Sequence, residues 1–259
     1  MHGAMSLDWL GGDALRSQYF NSLSMVFPSG ERYFIESLRR VSGEIDDPHL
    51  RRQVQGFIGQ ESTHHRMHAE FNHGLEQLGL RNIIEPFIEW RIRHSQWLSP
   101  LDRLAITAGV EHFTSLFGAT ALRGDGWFAG GHPELRAFCM WHAAEEIEHG
   151  AIPLTLYNRL GGGYLRRVTW FFYVSVTLSL DALIQLFSNL HRSGSLWRTR
   201  TWLHGIAFLF GRGGPGQVAL SGVPSYLRPG YVPVFDHANL LAQSWLAQNA
   251  FRFQRSHDA

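Results

Sequence analysis

Two long stretches of 3.6-residue periodicity, about residues 48–79 and 130–160, carry ionisable side chains in the middle of their apolar stripes. Stepping by threes and fours from Leu50 meets Val54, Phe57, Glu61, His64, His68, Phe71, Leu75 and Leu78. The second stripe runs through Leu135, Phe138, His142, Glu146, His149, Ile152 and Leu156. A carboxylate or imidazole on a core-facing stripe is costly unless it is paired, hydrogen-bonded or bound to metal. Two stripes interrupted at their centres therefore call for a fold in which the interruptions meet.

Each stripe contains Glu-x-x-His, Glu61 to His64 and Glu146 to His149, which places a carboxylate and an imidazole on neighbouring turns of one face. A third match, Glu70 to His73, begins nine residues after the first; at about 100° per residue it falls on the opposite, solvated face. Two further helical stretches offer one carboxylate each. Leu101, Leu104, Ala108, Glu111, Ser115, Gly118 and Leu122 form a stripe centred on Glu111, whose small neighbours leave room for a metal, water or substrate. Glu31 shares a face with Phe34, Ile35 and Leu38, whereas Glu36 lies with Arg32, Arg39 and Arg40, so Glu31 is the candidate.

No alternating, strand-like segment competes with the helical pattern, and the expected fold is all-α. Helices are predicted from Pro28-Ser29-Gly30 to Ser42-Gly43, from Asp46-Asp47-Pro48 to Leu78-Gly79, from Ser99-Pro100 to Arg123-Gly124-Asp125-Gly126, and from Gly130-Gly131-His132-Pro133 to Leu160. Pro153 should kink or break the last of these. The connection over 80–99 holds a short helical piece, Pro86 to Trp97. Such a long link gives an up-down-down-up four-helix bundle. A single domain is expected over 1–259, with its core bundle at about 29–160 and a C-terminal helical cap at about 164–259. Within the cap, 211–233 reads as a Gly/Pro-rich loop and a final helix starts at His237. Val168 to Phe187 is the most apolar stretch and about as long as a membrane span. Its Asp181 favours a buried helix covering the bundle, with Asp181 as a surface or capping acid; membrane-surface contact is the lesser reading.

Composition removes several chemistries. All 23 basic residues are arginine, so Schiff-base and phosphate-loop lysine mechanisms are excluded, while 15 histidines remain. A net charge of +1 gives no field that favours nucleic acid. The single cysteine, Cys139, can form neither an intrachain disulfide nor a thiolate cluster and suits a reducing compartment. Met1 to Leu10 has no signal-peptide pattern, so a cytoplasmic location is expected.

The inventory of Glu, Glu-x-x-His, Glu and Glu-x-x-His, one group per helix, resembles the ferritin-like di-metal carboxylate superfamily, whose description this ordering matches. More narrowly, the chain is similar to the bacterial predicted metal-dependent hydrolases through Phe27-Pro28-Ser29-Gly30-Glu31-Arg32, Gln60-Glu61 with His64, His68 and Phe71-Asn72, Glu111-His112-Phe113, and Trp141-His142 with Glu145-Glu146-Ile147-Glu148-His149. The resemblance implies a ferritin-like bundle with Glu31, Glu61, His64, Glu111, Glu146 and His149 as metal ligands, Glu61 and Glu146 being the bridges. His68 and His142 fall outside the plain ferritin pattern. In antiparallel second and fourth helices they lie at one end of the site, as further ligands or proton-transfer groups, or as hydrogen-bonding partners of a carboxylate. Carboxylate and imidazole donors suit two ions of iron, or of manganese. The first expectation is O2-dependent oxidation of a small, partly apolar substrate. Hydrolysis is the alternative that the family description carries, and iron binding without an organic substrate is the third. A homodimer is compatible with each.

Overall fold

The computed structural model describes residues 6–124, 126–233 and 236–253. Among these there is no strand, only one isolated bridge between Leu10 and Gly131. The helices are α1 (Ala14–Arg39), α2 (Pro48–Gln77), α3 (Glu85–Arg93), α4 (Pro100–Arg123), α5 (Pro133–His149), α6 (Ile152–Arg159), α7 (Tyr164–Arg192), α8 (Thr199–Phe210), α9 (Pro215–Tyr226) and α10 (Asp236–Phe253). Met1 to Met5 of the sequence read for a signal peptide and Asp125 of the Gly124-Asp125-Gly126 terminus lie outside the described residues.

Local chemistry sets most of these boundaries. Asp47 accepts hydrogen bonds from the amides of His49 and Leu50, with Pro48 in the first turn, and so starts α2. Ser99 and Asp102 form a reciprocal capping box at the start of α4. Pro153 has no amide to offer the His149 carbonyl, and the predicted fourth helix divides into α5 and α6 around Gly150-Ala151.

α1 begins at Ala14, well before the predicted start at Pro28-Ser29-Gly30. Two features concealed its first half. Ser17, Gln18, Asn21, Ser22 and Ser24 are buried polar residues, so no apolar stripe marks the face. Pro28 lies inside the helix, where its missing N–H should strand the carbonyl of Ser24; the Asn72 side-chain amide donates to that carbonyl at 2.8 Å instead. The predicted loop over 211–233 is likewise corrected, since it contains α9. Pro215 occupies the first turn, where no amide is needed, and Gly222 lets α9 lie against α4: a Cβ there would stand 2.3 Å from Leu116 Cδ1. His112 fastens the contact, its ring nitrogens 3.1 Å from the Gly222 carbonyl and 3.1 Å from the Tyr231 hydroxyl.

Cross-helix pairs fix the directions. Ser24 meets Asn72 and Pro28 meets His65, so α1 and α2 are antiparallel. Gln60 meets His149 and His64 meets Glu145, so α2 and α5 are antiparallel. Ser115 meets the Glu146 carbonyl, and Gly118 meets Ala143, so α4 opposes α5. α2 and α4 therefore run one way and α1 and α5 the other, with α3 in the long link. Two large apolar clusters occupy the ends of this bundle, one around Phe57, Leu104 and Tyr157, the other around Phe71, Leu75 and Phe138.

α7 packs along α1 and α4, yet only 33% of its most apolar stretch is buried, which corrects the expectation of a buried covering helix. Its sequence is apolar nearly all round, but the bundle takes one face. On that face Asp181 is buried in an ion pair with Arg91 of α3, rather than lying at a surface or a cap.

Candidate metal centre

Between the two apolar clusters lies a polar layer built from α1, α2, α4 and α5. It contains Glu31, Glu61, His64, His68, Glu111, Glu146 and His149, each at most 4% exposed, with half-buried His142. Helical spacing puts Glu61, His64 and His68 on the inner face of α2 and His142, Glu146 and His149 on that of α5. Glu36, the rejected alternative to Glu31, pairs with Arg40 at the surface, and His73 of the third Glu-x-x-His is exposed.

The layer divides into two groups whose donor atoms lie within 4.8 Å of one another: Glu61, His64, Glu146 and His149, and Glu31, His68 and His142. In the first group His149 Nδ1 is 2.8 Å from Glu61 Oε1, and His64 Nδ1 is 3.2 Å from Glu146 Oε1. In the second, Glu31 Oε1 stands 3.9 Å from His68 Nε2 and 4.0 Å from His142 Nε2. Glu146 joins them, with Oε1 3.1 Å from His142 Nε2. Glu111 belongs to neither group. One of its carboxylate oxygens faces Thr114 Oγ1 at 3.4 Å and the other has no partner.

Three imidazoles are held by one nitrogen while the other points into the layer. His64 Nε2 contacts Glu145 at 2.9 Å, His149 Nε2 contacts Gln60 at 3.0 Å, and His68 Nδ1 contacts Ser24 at 2.8 Å; on the inner side His64 Nδ1 and His149 Nδ1 face only carboxylate oxygens, of Glu146 and Glu61, and His68 Nε2 has no hydrogen bond. Both carboxylate oxygens of Glu31 and the second oxygen of Glu61, Oε2, have no hydrogen bond. Outer hydrogen bonds that orient rings and turn their inner nitrogens into a cluster of carboxylates are the arrangement of metal-ligating histidine. Gln60 in turn donates to Glu148 at 3.2 Å, and Ser24 donates to Asn72 at 2.7 Å. These orienting residues went unassigned in the sequence. Gln60, Asn72, Glu145 and Glu148 are all adjacent to or one turn from a candidate, but nothing in the pattern says what they touch.

Burial and mutual repulsion dominate the electrostatics. Desolvation, then the neighbouring Glu61, pushes the Glu31 carboxyl well above its ordinary range. Desolvation followed by Glu146 does the same to Glu111. Burial alone would raise Glu146, yet His142 and His64 hold it well below. Burial alone would lower His64, yet its bonds to Glu145 and Glu146 hold it well above. His68 and His142 are lowered, chiefly by burial. A cluster of carboxylates and imidazoles with bare inner atoms is what a cation would satisfy.

An aromatic cavity of about 80 Å³ reaches this layer, lined by Phe27, Phe71, Phe117, Trp127 and Phe138 and ending at His68, His142 and Glu146. The small residues around Glu111 serve partly for close helix packing rather than for space. A Cβ on Gly118 would lie 2.3 Å from the Ala143 carbonyl oxygen, and Ser115 Oγ bridges the Glu111 and Glu146 carbonyls. Cys139 is on the cavity wall, its thiol pushed up by burial.

Fold and site together describe an all-helical protein with buried glutamate and histidine groups able to hold metal ions. The chain belongs to the predicted metal-dependent hydrolase family, whose family model matches residues 1–236. No curated protein and no solved structure matches it.

Proposed function

We propose that this protein holds two transition-metal ions side by side and uses them on a small, largely apolar organic molecule. Glu61, His64, Glu146 and His149 would hold one ion and Glu31, His68 and His142 the other, with Glu146 between them and Glu111 as a further carboxylate. The chain order of these groups and the helix directions support a ferritin-like reading of the bundle. His68 and His142 thus become ligands of the second ion rather than separate proton carriers. The observation that carries the proposal is the convergence of buried carboxylate oxygens with the inner nitrogens of imidazoles held from behind. Iron suits the donors best and manganese next. Bound iron would supply electrons for O2, and either metal would supply Lewis acidity.

The chain's own part is to orient the ligands, exclude water and place the substrate. Among the described residues the cavity wall is mostly aromatic and aliphatic, its polar side chains including Ser24, Thr114, His68, His142 and Glu146. Its aromatic rings suit an apolar substrate and a dry reaction. O2-dependent oxidation is the reading that this dry, aromatic pocket favours. Hydrolysis is the second reading, favoured by the family description.

Metal analysis after anaerobic ferrous loading should find two ions per chain, and oxygen uptake should accelerate with apolar substrates. Fewer than two ions would overturn the proposal. Two ions with no oxygen uptake, but with esterase or phosphatase turnover in the manganese or zinc form, would establish the second reading. The double variant His68→Ala, His142→Ala should lose one ion; unchanged metal content would remove both histidines from the centre.

A further inference from the structure

The exposed face of α7 is apolar over nearly its whole length. Leu165, Phe172, Val176, Leu180, Leu183 and Phe187 are all exposed, and at about 100° per residue they fall within one arc of roughly 80°. α8 and α9 continue the surface with exposed Leu203, Ile206, Phe210 and Leu220, and Trp197 between α7 and α8 is 87% exposed. An apolar face of this extent marks a docking surface.

Charge identifies what docks. From residue 182 to residue 235 the sequence contains no aspartate or glutamate, but it contains Arg192, Arg198, Arg200, Arg212 and Arg228, all exposed. Arg200 and Arg212 have no ion-pair partner among the described residues, whereas Arg192 lies about 160° from the centre of the apolar arc of α7 and takes no part in this face. A second copy meeting this face two-fold would bring arginine against arginine. An anionic phospholipid surface complements both the apolar residues and the arginines. α7 is long enough to span a bilayer but is anchored by its other face. Asp181 pairs with Arg91, and Gln185 accepts from the amides of Ile83 and Ile84 while donating to the Arg81 carbonyl and Asn189. The helix would therefore lie along the membrane surface rather than cross it.

A cavity of about 320 Å³ opens beneath the same face, between α7, α8 and α9, with Leu183, Phe210 and Leu220 at its rim. Its inner wall includes Leu23 and Phe117, which also line the aromatic cavity that ends at His68, His142 and Glu146. We propose that the α7–α9 face docks on an anionic phospholipid membrane and that a lipophilic chain enters from it, past Leu23 and Phe117, to the metal centre. The substrate class is thus a membrane-borne lipid. This route rests on the functional reading above, whereas the docking surface does not.

The test is co-sedimentation of the full chain, metal-loaded and metal-free, with vesicles of phosphatidylcholine alone or mixed with phosphatidylglycerol. Both forms should bind the mixed vesicles, and high salt should release them. Arg200→Gln and Arg212→Gln should each weaken binding about fivefold. Leu180→Glu with Leu183→Glu should abolish it at unchanged helix content and metal content, since both side chains are exposed. For the route, the lipid probe cis-parinaric acid should bind the wild type in competition with a fatty acid, and Phe117→Trp should still bind it but leave it unable to perturb the optical spectrum of the metal centre. Two bound metals with no vesicle binding, or an apolar face masked in a vesicle-free dimer, would overturn the docking surface and leave the metal centre standing. Vesicle binding with no metal uptake would refute the metal centre and with it the route. A spectral change that persists in Phe117→Trp would refute the route alone.

Discussion

Metal loading should change the stability of this protein more than any single substitution. The polar layer contains six buried atoms with no hydrogen bond and no ion-pair contact inside 3.5 Å: both carboxylate oxygens of Glu31, Glu61 Oε2, His68 Nε2, Glu111 Oε1 and Glu146 Oε2. An unsatisfied buried polar atom costs about 1–3 kcal/mol, so six would cost roughly 6–18 kcal/mol, against a total stability of about 5–15 kcal/mol for a typical domain. The metal-free layer must therefore relax, by admitting water or protons, and cations should reverse that relaxation. Each ion present at about 1,000 times its Kd adds about 4 kcal/mol, or about 8 kcal/mol for two. At about 2–4 °C per kcal/mol for a chain of this size, Tm should rise by roughly 16–32 °C between chelated and loaded protein. Circular dichroism melts in chelator, in manganese, and in ferrous iron without oxygen measure this directly. The double variant Glu61→Ala, Glu146→Ala should lose nearly all of the rise. A rise below about 4 °C in the wild type, or an equal rise in the variant, would refute the reasoning.

Other perturbations test the scaffold. Gly118→Ala places a Cβ 2.3 Å from the Ala143 carbonyl oxygen and must part α4 from α5; a loss of about 1–3 kcal/mol in urea unfolding is expected, together with weaker metal binding. Arg91→Leu leaves the buried Asp181 carboxylate without its counter-ion and should cost about 3 kcal/mol, whereas Arg91→Leu with Asp181→Leu should recover most of it; equal losses in both would deny the ion pair its role. Burial tends to raise the Asp102 carboxyl, but hydrogen bonds from Ser99 and Trp170 hold it below its ordinary value of 3.8. A lowered folded-state value gives stability that is present above 3.8 and is lost as pH falls through the folded value. Asp102→Asn should therefore be less stable than wild type by about 1 kcal/mol at neutral pH, with the gap closing in acid; a gap that persists at low pH would contradict this.

The sequence by itself determined the parts that depend on one helix at a time. The 3.6-residue period puts Glu61, His64 and His68 on one face and His142, Glu146 and His149 on another whatever surrounds them, and it separates Glu31 from Glu36 and His64 from His73. Capping chemistry likewise marks Asp47 and Ser99 as helix starts. The first half of α1 escaped this reading because its inner face is polar and its Pro28 resembles a terminus; only the Asn72 amide of α2, bonded to the freed Ser24 carbonyl, shows why the helix continues. α9 escaped because its glycines and prolines read as a loop until packing on α4 required them. Tertiary structure alone decided which donors meet: that His68 and His142 face Glu31, that Glu145, Gln60 and Ser24 hold three rings from behind, and that α7 leaves most of its apolar surface uncovered. Periodicity fixes which face a residue shares with its own neighbours. Register and crossing between helices, set by packing contacts distant in sequence, fix what that face meets.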